Sequence, residues 1–150
     1  MNRTLIRQAA ESDVRCISRL QQQWLEEGSV YGFAPESREQ VGAALSPYLL
    51  VAEADNEVIG FISGSIHRSE GVAVIPEGES YLEIVNLYIA PGFRRRGVGS
   101  GLITQLLARA KQQGIAYALL YSAAKDIRGI LSFYERHDFL SWYVQMFQKL

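Results

Sequence analysis

One cysteine, Cys16, occurs in 150 residues. An intrachain disulfide is therefore impossible, and a zinc site built on thiolates lacks its ligands. Cys16 falls within a helical pattern, where the plain expectation is a small buried residue. Histidine is nearly as scarce: His67 and His137 are the two in the chain. Both read as ordinary surface or capping residues, and nothing suggests a metal site. The formal net charge is −1, so bulk electrostatics do not point to nucleic acid. No apolar run approaches the ~20 residues that would span a bilayer. The opening residues MNRTLIRQAAESD lack the apolar core of a signal peptide. A cytoplasmic protein is the consistent reading. There are no internal repeats, low-complexity segments or linkers.

What is present is ordinary for a globular domain, with 48% hydrophobic and 21% charged residues. A single domain over 1–150 is expected, long enough to bury a core without covalent staples. Residues 4–8 suggest a first strand. Glu11, Ser12 and Asp13 supply capping and acidic residues for a helix that runs to about Glu27 and stops at Gly28. Residues 28–37 (GSVYGFAPES) read as loop, and Ser37 caps a short helix reaching Leu45. Strands over 48–54 and 57–67 flank the turn signal Asp55-Asn56, which makes a hairpin. Gly60 and Gly64 within the second strand suggest a bulge or a close approach. Residues 69–80 (SEGVAVIPEGES) form the longest irregular stretch.

A strand over 79–90, a helix over 97–113 and a strand over 115–121 follow, with Gly114 as the helix stop. Strand, helix, strand at this spacing implies a right-handed parallel crossover. Residues 126–137 form another helix, weakened by Gly129, and residues 139–150 (FLSWYVQMFQKL) read as one or two final strands. The fold class is thus α/β with α+β character. A mixed, mostly antiparallel sheet contains a central parallel pair and carries helices on both faces.

The chemistry concentrates between Tyr81 and Gln113. Pro91 stops an apolar strand, Arg94, Arg95 and Arg96 follow, and Gly97, Val98 and Gly99 open the helix. First-turn N–H groups have no intrahelical acceptor, and the helix dipole is positive at that end. Glycines let an anion approach the backbone. Three arginines at a positive helix end are unfavourable unless an anion sits there. The stretch reads as an anion cradle, best suited to a pyrophosphate. A dinucleotide fingerprint needs glycine at first, third and sixth positions, yet Leu102 stands sixth after Gly97 and Gly99. The Gly-Lys-Ser/Thr of a nucleotide triphosphatase loop is absent.

Two segments, LYIAPGFRRRGVGSGL and SFYERHDF, resemble the GNAT superfamily of acetyl-CoA-dependent N-acetyltransferases. In the first, Arg94, Gly97 and Gly99 fill the positions of the superfamily's arginine-or-glutamine, glycine and glycine-or-alanine. The second is similar to its Phe-Tyr-Glu segment. Two departures stand out: Ile127 where many relatives have asparagine, and Asp138 where a glycine usually precedes the next phenylalanine.

The resemblance implies a GNAT-like fold and acetyl transfer from acetyl-CoA to a primary amine by direct attack in a ternary complex. It implies a pyrophosphate on the backbone from Arg95 to Ser100, with Arg94, Arg95 and Arg96 beside it. It implies a pantetheine arm along the strand edge at Leu87, Tyr88 and Ile89. Glu83 is the candidate general base, because a carboxylate in an otherwise apolar strand becomes a better proton acceptor as it is desolvated. Strict alternation would place it on the face of Tyr81, Val85 and Leu87, unless a bulge intervenes. Tyr134 is the candidate acid for the departing thiolate, acting more by hydrogen bonding than by full proton transfer. Asn86 either orients substrate or satisfies the strand backbone. The acceptor, a small-molecule or peptide amine, would be shaped by the two irregular stretches, where Glu26, Glu27, Glu70 and Glu77 hint at a cation. The final strands often support dimers in this superfamily, which leaves a homodimer open. A non-catalytic acyl-CoA-binding sensor with the same fold is the alternative.

Overall fold

The computed structural model describes residues 3–150. Five strands, β1 (Leu5–Gln8), β2 (Leu49–Ala54), β3 (Glu57–Arg68), β4 (Ser80–Ile89) and β5 (Tyr117–Leu119), form one sheet in sequential order. The first four are antiparallel neighbours, and β4 and β5 are parallel. The parallel pair lies at the edge of the sheet, since β5 is its last strand.

Helices cover both faces, as their apolar stripes require. Helices α1 (Val14–Glu27) and α2 (Arg38–Ala43) bury Val14, Ile17, Leu20 and Val41 against Val51, Phe61 and Tyr88. On the other face, α3 (Val98–Gln112) buries Leu102, Ile103 and Leu106 against Leu50, Ile62, Leu82 and Ile84. Helix α4 (Ile127–Glu135) adds Tyr134 to that second cluster. Cys16 packs at the edge of the first cluster and is half-buried, less than its residue type suggested.

Local signals explain where elements begin and end. Gly28 leaves α1 at φ 62°, in the left-handed conformation that glycine adopts without strain. Ser37 Oγ accepts from the Gln40 N–H while Gln40 Oε1 accepts from the Ser37 N–H, a reciprocal cap on α2. Asp55 and Asn56 both take positive φ in the hairpin turn. After α4 the Phe139 N–H reaches the Tyr134 carbonyl and the Asp138 N–H reaches that of Glu135. This is a Schellman closure, with Asp138 at φ 66° in the position glycine favours.

Two expectations need correction. Residues 139–150 form no strand, although their composition favours one. A strand needs a neighbour with a free ladder, and β5 holds only three residues before the chain leaves the sheet. Strict alternation along β4 also fails. Ser63 pairs with Asn86 and Gly64 with Ile84, so Val85 is an extra residue. Beyond that bulge the faces exchange. Leu87 joins the α3 cluster, while Tyr88 joins the α1 cluster.

Candidate active site

β4 is paired with β5 only from Tyr81 to Glu83. From Ile84 to Ile89 its outer edge has no strand partner. The two strands therefore part just beyond Glu83. A cleft opens between the free β4 edge and the segment after β5, with the start of α3 at its far end.

That far end is formed by the turn into α3. Arg95 has φ 60° and Gly97 φ 78°, a backbone form that turns successive N–H groups inward. The first intrahelical bond of α3 runs from the Gly101 N–H to the Gly97 carbonyl. The N–H groups of Val98, Gly99 and Ser100 precede it and point out of the helix start. They border a cavity of about 300 Å³ lined by Ile89, Phe93, Arg95, Gly99, Phe133 and Arg136. A Cβ on Gly97 would meet nothing within 4 Å, whereas one on Gly99 would lie 3.5 Å from the Phe133 ring. Gly97 is thus needed for its backbone angle, and Gly99 for the open space in the cavity wall.

The arginines divide their roles. Arg94 lines the cavity and is tied down behind it: its Nη2 lies 2.9 Å from both Glu27 carboxylate oxygens, and its Nε donates to the Ile89 carbonyl. The buried Tyr88 hydroxyl donates to the same Glu27 carboxylate, and burial, more than Glu27, holds that phenol well above its usual range. Arg94 therefore ties the end of β4 to α1. Arg96 lies over the Phe93 ring at 5.7 Å. Arg136, which the sequence reading passed over, lines the cavity and lies 5.9 Å over Phe133. His137, read as a surface residue, reaches Ser100 Oγ at 3.0 Å. Arg136 and His137 carried no local signal, because only the packing of α4 brings them to the α3 start.

Tyr134 is buried among Phe133, Phe139 and the α3 cluster. Burial pushes its phenol up to about 12, which favours hydrogen bonding over proton donation at neutral pH. Gly129 has a local cause. Its N–H donates to Asp126 Oδ1, and a Cβ there would lie 2.3 Å from Asp126 Oδ2.

Glu83 lies where the strands part, on the α1 face with its side chain 20% exposed. Its Oε2 is 2.9 Å from His67 Nε2. The Tyr121 hydroxyl also bonds to Glu83, which holds that phenol above its ordinary value. Asn86 donates from Nδ2 to Glu36 Oε1 at 3.1 Å, and the buried Gln21 clamps the same Glu36. Asn86 is thus committed to the loop before α2. That loop is pinned across the cleft by bonds from the Tyr31 N–H to the Ala123 carbonyl and from the Lys125 N–H to the Ser29 carbonyl. Residues 28–37 therefore border the cleft. Residues 69–79 fold back on themselves through Ser69, which bonds to Glu79, Gly78 and Ile75.

Sequence comparison sets this arrangement, a splayed parallel pair with open N–H groups at the next helix start, in a family. The model of the Acetyltransferase (GNAT) family matches residues 6–139. The chain belongs to the GNAT acetyltransferase family. Among individual relatives, mycothiol acetyltransferase from Streptomyces avermitilis is 37% identical over 89 residues, 59% of this chain and 26% of that protein. An uncharacterized N-acetyltransferase from Methanocaldococcus jannaschii is 27% identical over 89 residues, 59% of this chain and 37% of that protein. The matched stretch thus spans about a quarter to somewhat over a third of these relatives' length.

Solved structures share the fold at lower identity. AAC(6')-Iy in complex with the bisubstrate analogue CoA-S-monomethyl-acetylneamine superposes with a TM-score of 0.76 at 19% identity, covering 99% of both chains. A predicted acetyltransferase with acetyl-CoA from Clostridium acetobutylicum gives 0.72 at 19% identity, covering 98% of this chain and 96% of that one. At these identities the likeness concerns the fold.

Proposed function

We propose that the protein transfers the acetyl group of acetyl-CoA to a primary amine within a ternary complex. The observation that carries this is the free β4 edge, Ile84 to Ile89, running from the α3 cradle to Glu83. It supplies in one cleft a pyrophosphate site, an unpaired strand edge and a carboxylate.

The cradle fits a pyrophosphate, because the αL Gly97 and the N–H groups of Val98, Gly99 and Ser100 converge on a cavity with cationic walls. Arg94, Arg95 and Arg136 line the cavity, Arg96 lies over Phe93 beside it, and Arg94 also braces the strand. The strand edge at Leu87, Tyr88 and Ile89 holds the pantetheine arm as an added strand would. When bound, acetyl-CoA supplies an activated acyl carbon with a thiolate leaving group. Glu83 takes a proton from the acceptor's ammonium, so the nitrogen lone pair can form the new bond. An N–H of the free β4 edge polarises the acyl oxygen. Tyr134, kept protonated by its burial, donates a hydrogen bond to the departing sulfur.

Several relatives by fold are aminoglycoside acetyltransferases. A small-molecule amine is accordingly the first acceptor class to try, with peptide amines second. A homodimer belongs to the same reading. Seven large apolar side chains between Leu140 and Leu150 are exposed, and a second copy is a partner always at hand; sedimentation velocity checks it.

The test is a panel of amine acceptors with detection of the free thiol released from acetyl-CoA. Turnover is expected with at least one amine class, with kcat reduced at least ~100-fold in Glu83→Gln and ~10-fold in Tyr134→Phe. Turnover unchanged in both variants would remove these assignments. Tight acetyl-CoA binding with no acceptor acetylated would favour the non-catalytic sensor.

A further inference from the structure

His67 is absent from the roles assigned above, yet it makes the shortest charged contact of Glu83. Ser65 pairs with Glu83 and His67 with Tyr81 across the β3–β4 ladder. All four side chains therefore share one face. His67 Nε2 lies 2.9 Å from Glu83 Oε2 and 2.8 Å from Ser65 Oγ. The His67 ring rests on Tyr81, with centroids 5.6 Å apart. Tyr121, from the segment after β5, also interacts with Glu83.

With a proton on Nε2, the imidazole faces the Glu83 carboxylate and Ser65 Oγ, both of which can accept. Ser65 Oγ is a second acceptor within reach of the same N–H. The carboxylate is mostly shielded while the imidazole is 44% exposed, so Nδ1 is left for water. Glu83 is consequently held through Oε2.

We infer that His67 is the positioning residue of the candidate base, holding the Glu83 carboxylate through Oε2 and so setting its orientation toward the acceptor amine. This rests on the acetyl-transfer reading. It adds that the base is a Glu83–His67 pair buttressed by Ser65 and Tyr81. His67 touches neither substrate nor acyl group; it acts through Glu83.

Two substitutions separate a donor role from a packing role. His67→Phe keeps a ring on Tyr81 but removes the donor, whereas His67→Gln keeps an N–H donor. In the full chain, His67→Phe is expected to lower kcat about 30-fold with the KM for acetyl-CoA unchanged, and His67→Gln to stay within about threefold of wild type. Because the effect passes through Glu83, Glu83→Gln/His67→Phe should be no slower than Glu83→Gln alone. Thermal unfolding of each variant controls for loss of fold. His67→Phe within twofold of wild type, equal losses in both His67 variants, or additive losses in the double variant would each overturn the inference. Should Glu83→Gln itself turn over normally, the failure lies with the assignment of the base.

Discussion

Glu27 is the residue whose loss should reveal how the cleft is held together. Its carboxylate accepts from the Tyr88 hydroxyl and from Arg94 Nη2. Tyr88 is 3% exposed, so Glu27→Ala leaves its hydroxyl without its protein partner. An orphaned buried hydroxyl costs about 1–3 kcal/mol. The Arg94 pair is 42% and 22% exposed on its two sides. It adds only about 0.2–1 kcal/mol, the range for screened pairs. Glu27→Ala should therefore lose about 2–3 kcal/mol, a fall in Tm of roughly 5–10 °C for a domain of this size. Tyr88→Phe removes the donor itself and should lose only about 1 kcal/mol. In Glu27→Ala/Tyr88→Phe the orphan is gone, so the double variant should be about 1–2 kcal/mol more stable than the sum of the single losses. Urea unfolding of the four proteins measures each value. Strict additivity, or a Glu27→Ala loss under about 0.5 kcal/mol, would refute the hub. The KM for acetyl-CoA should rise in Glu27→Ala, because Arg94 then no longer braces the strand beside the cradle.

Gly97→Ala and Gly99→Ala should part company: the first is expected to cost about 1–2 kcal/mol through its left-handed angle, whereas the second should fold normally and weaken acetyl-CoA binding about tenfold by narrowing the cavity. Calorimetry and ligand titration check the pair. Asp138→Gly should raise stability by about 1 kcal/mol, since it relieves a left-handed aspartate without touching the cradle. Asp13 gives a pH signature. The Arg7 hydrogen bond holds its carboxyl below the ordinary value against opposing burial. A folded value below the unfolded one means the contribution is complete above about pH 4 and is lost as pH falls through the folded value. Asp13→Asn should therefore show a shallower loss of stability between about pH 4 and 2 in urea titrations at stepped pH.

Much of the fold was legible because its causes are local. Gly28, Gly114, Ser37 and the Asp55-Asn56 turn act through their own backbone or their nearest neighbours. The cradle was legible for the same reason, since Gly97 and the open N–H groups of Val98 to Ser100 lie within four residues. What failed depended on distant partners. Val85 becomes a bulge only through the register that β3 imposes. Residues 139–150 have strand composition and no free ladder to join. Arg94 meets Glu27, 67 residues away, a partner that no local pattern shows.

The sequence alone determined the order of elements as far as α4, the open helix start after Gly97, and two reacting-group candidates, Glu83 and Tyr134. Patterns of apolar residues, glycines and caps act over one to four residues, and a linear chain displays them directly. Only the tertiary structure decided where β4 parts from β5, which face Leu87 takes after the bulge, and which groups meet Glu83. His67 reaches Glu83 because β3 and β4 lie side by side in one register, and Arg136 and His137 reach the cradle because α4 packs against the α3 start. Such contacts follow from packing rather than propensity, which is why they are absent from any single stretch of the chain.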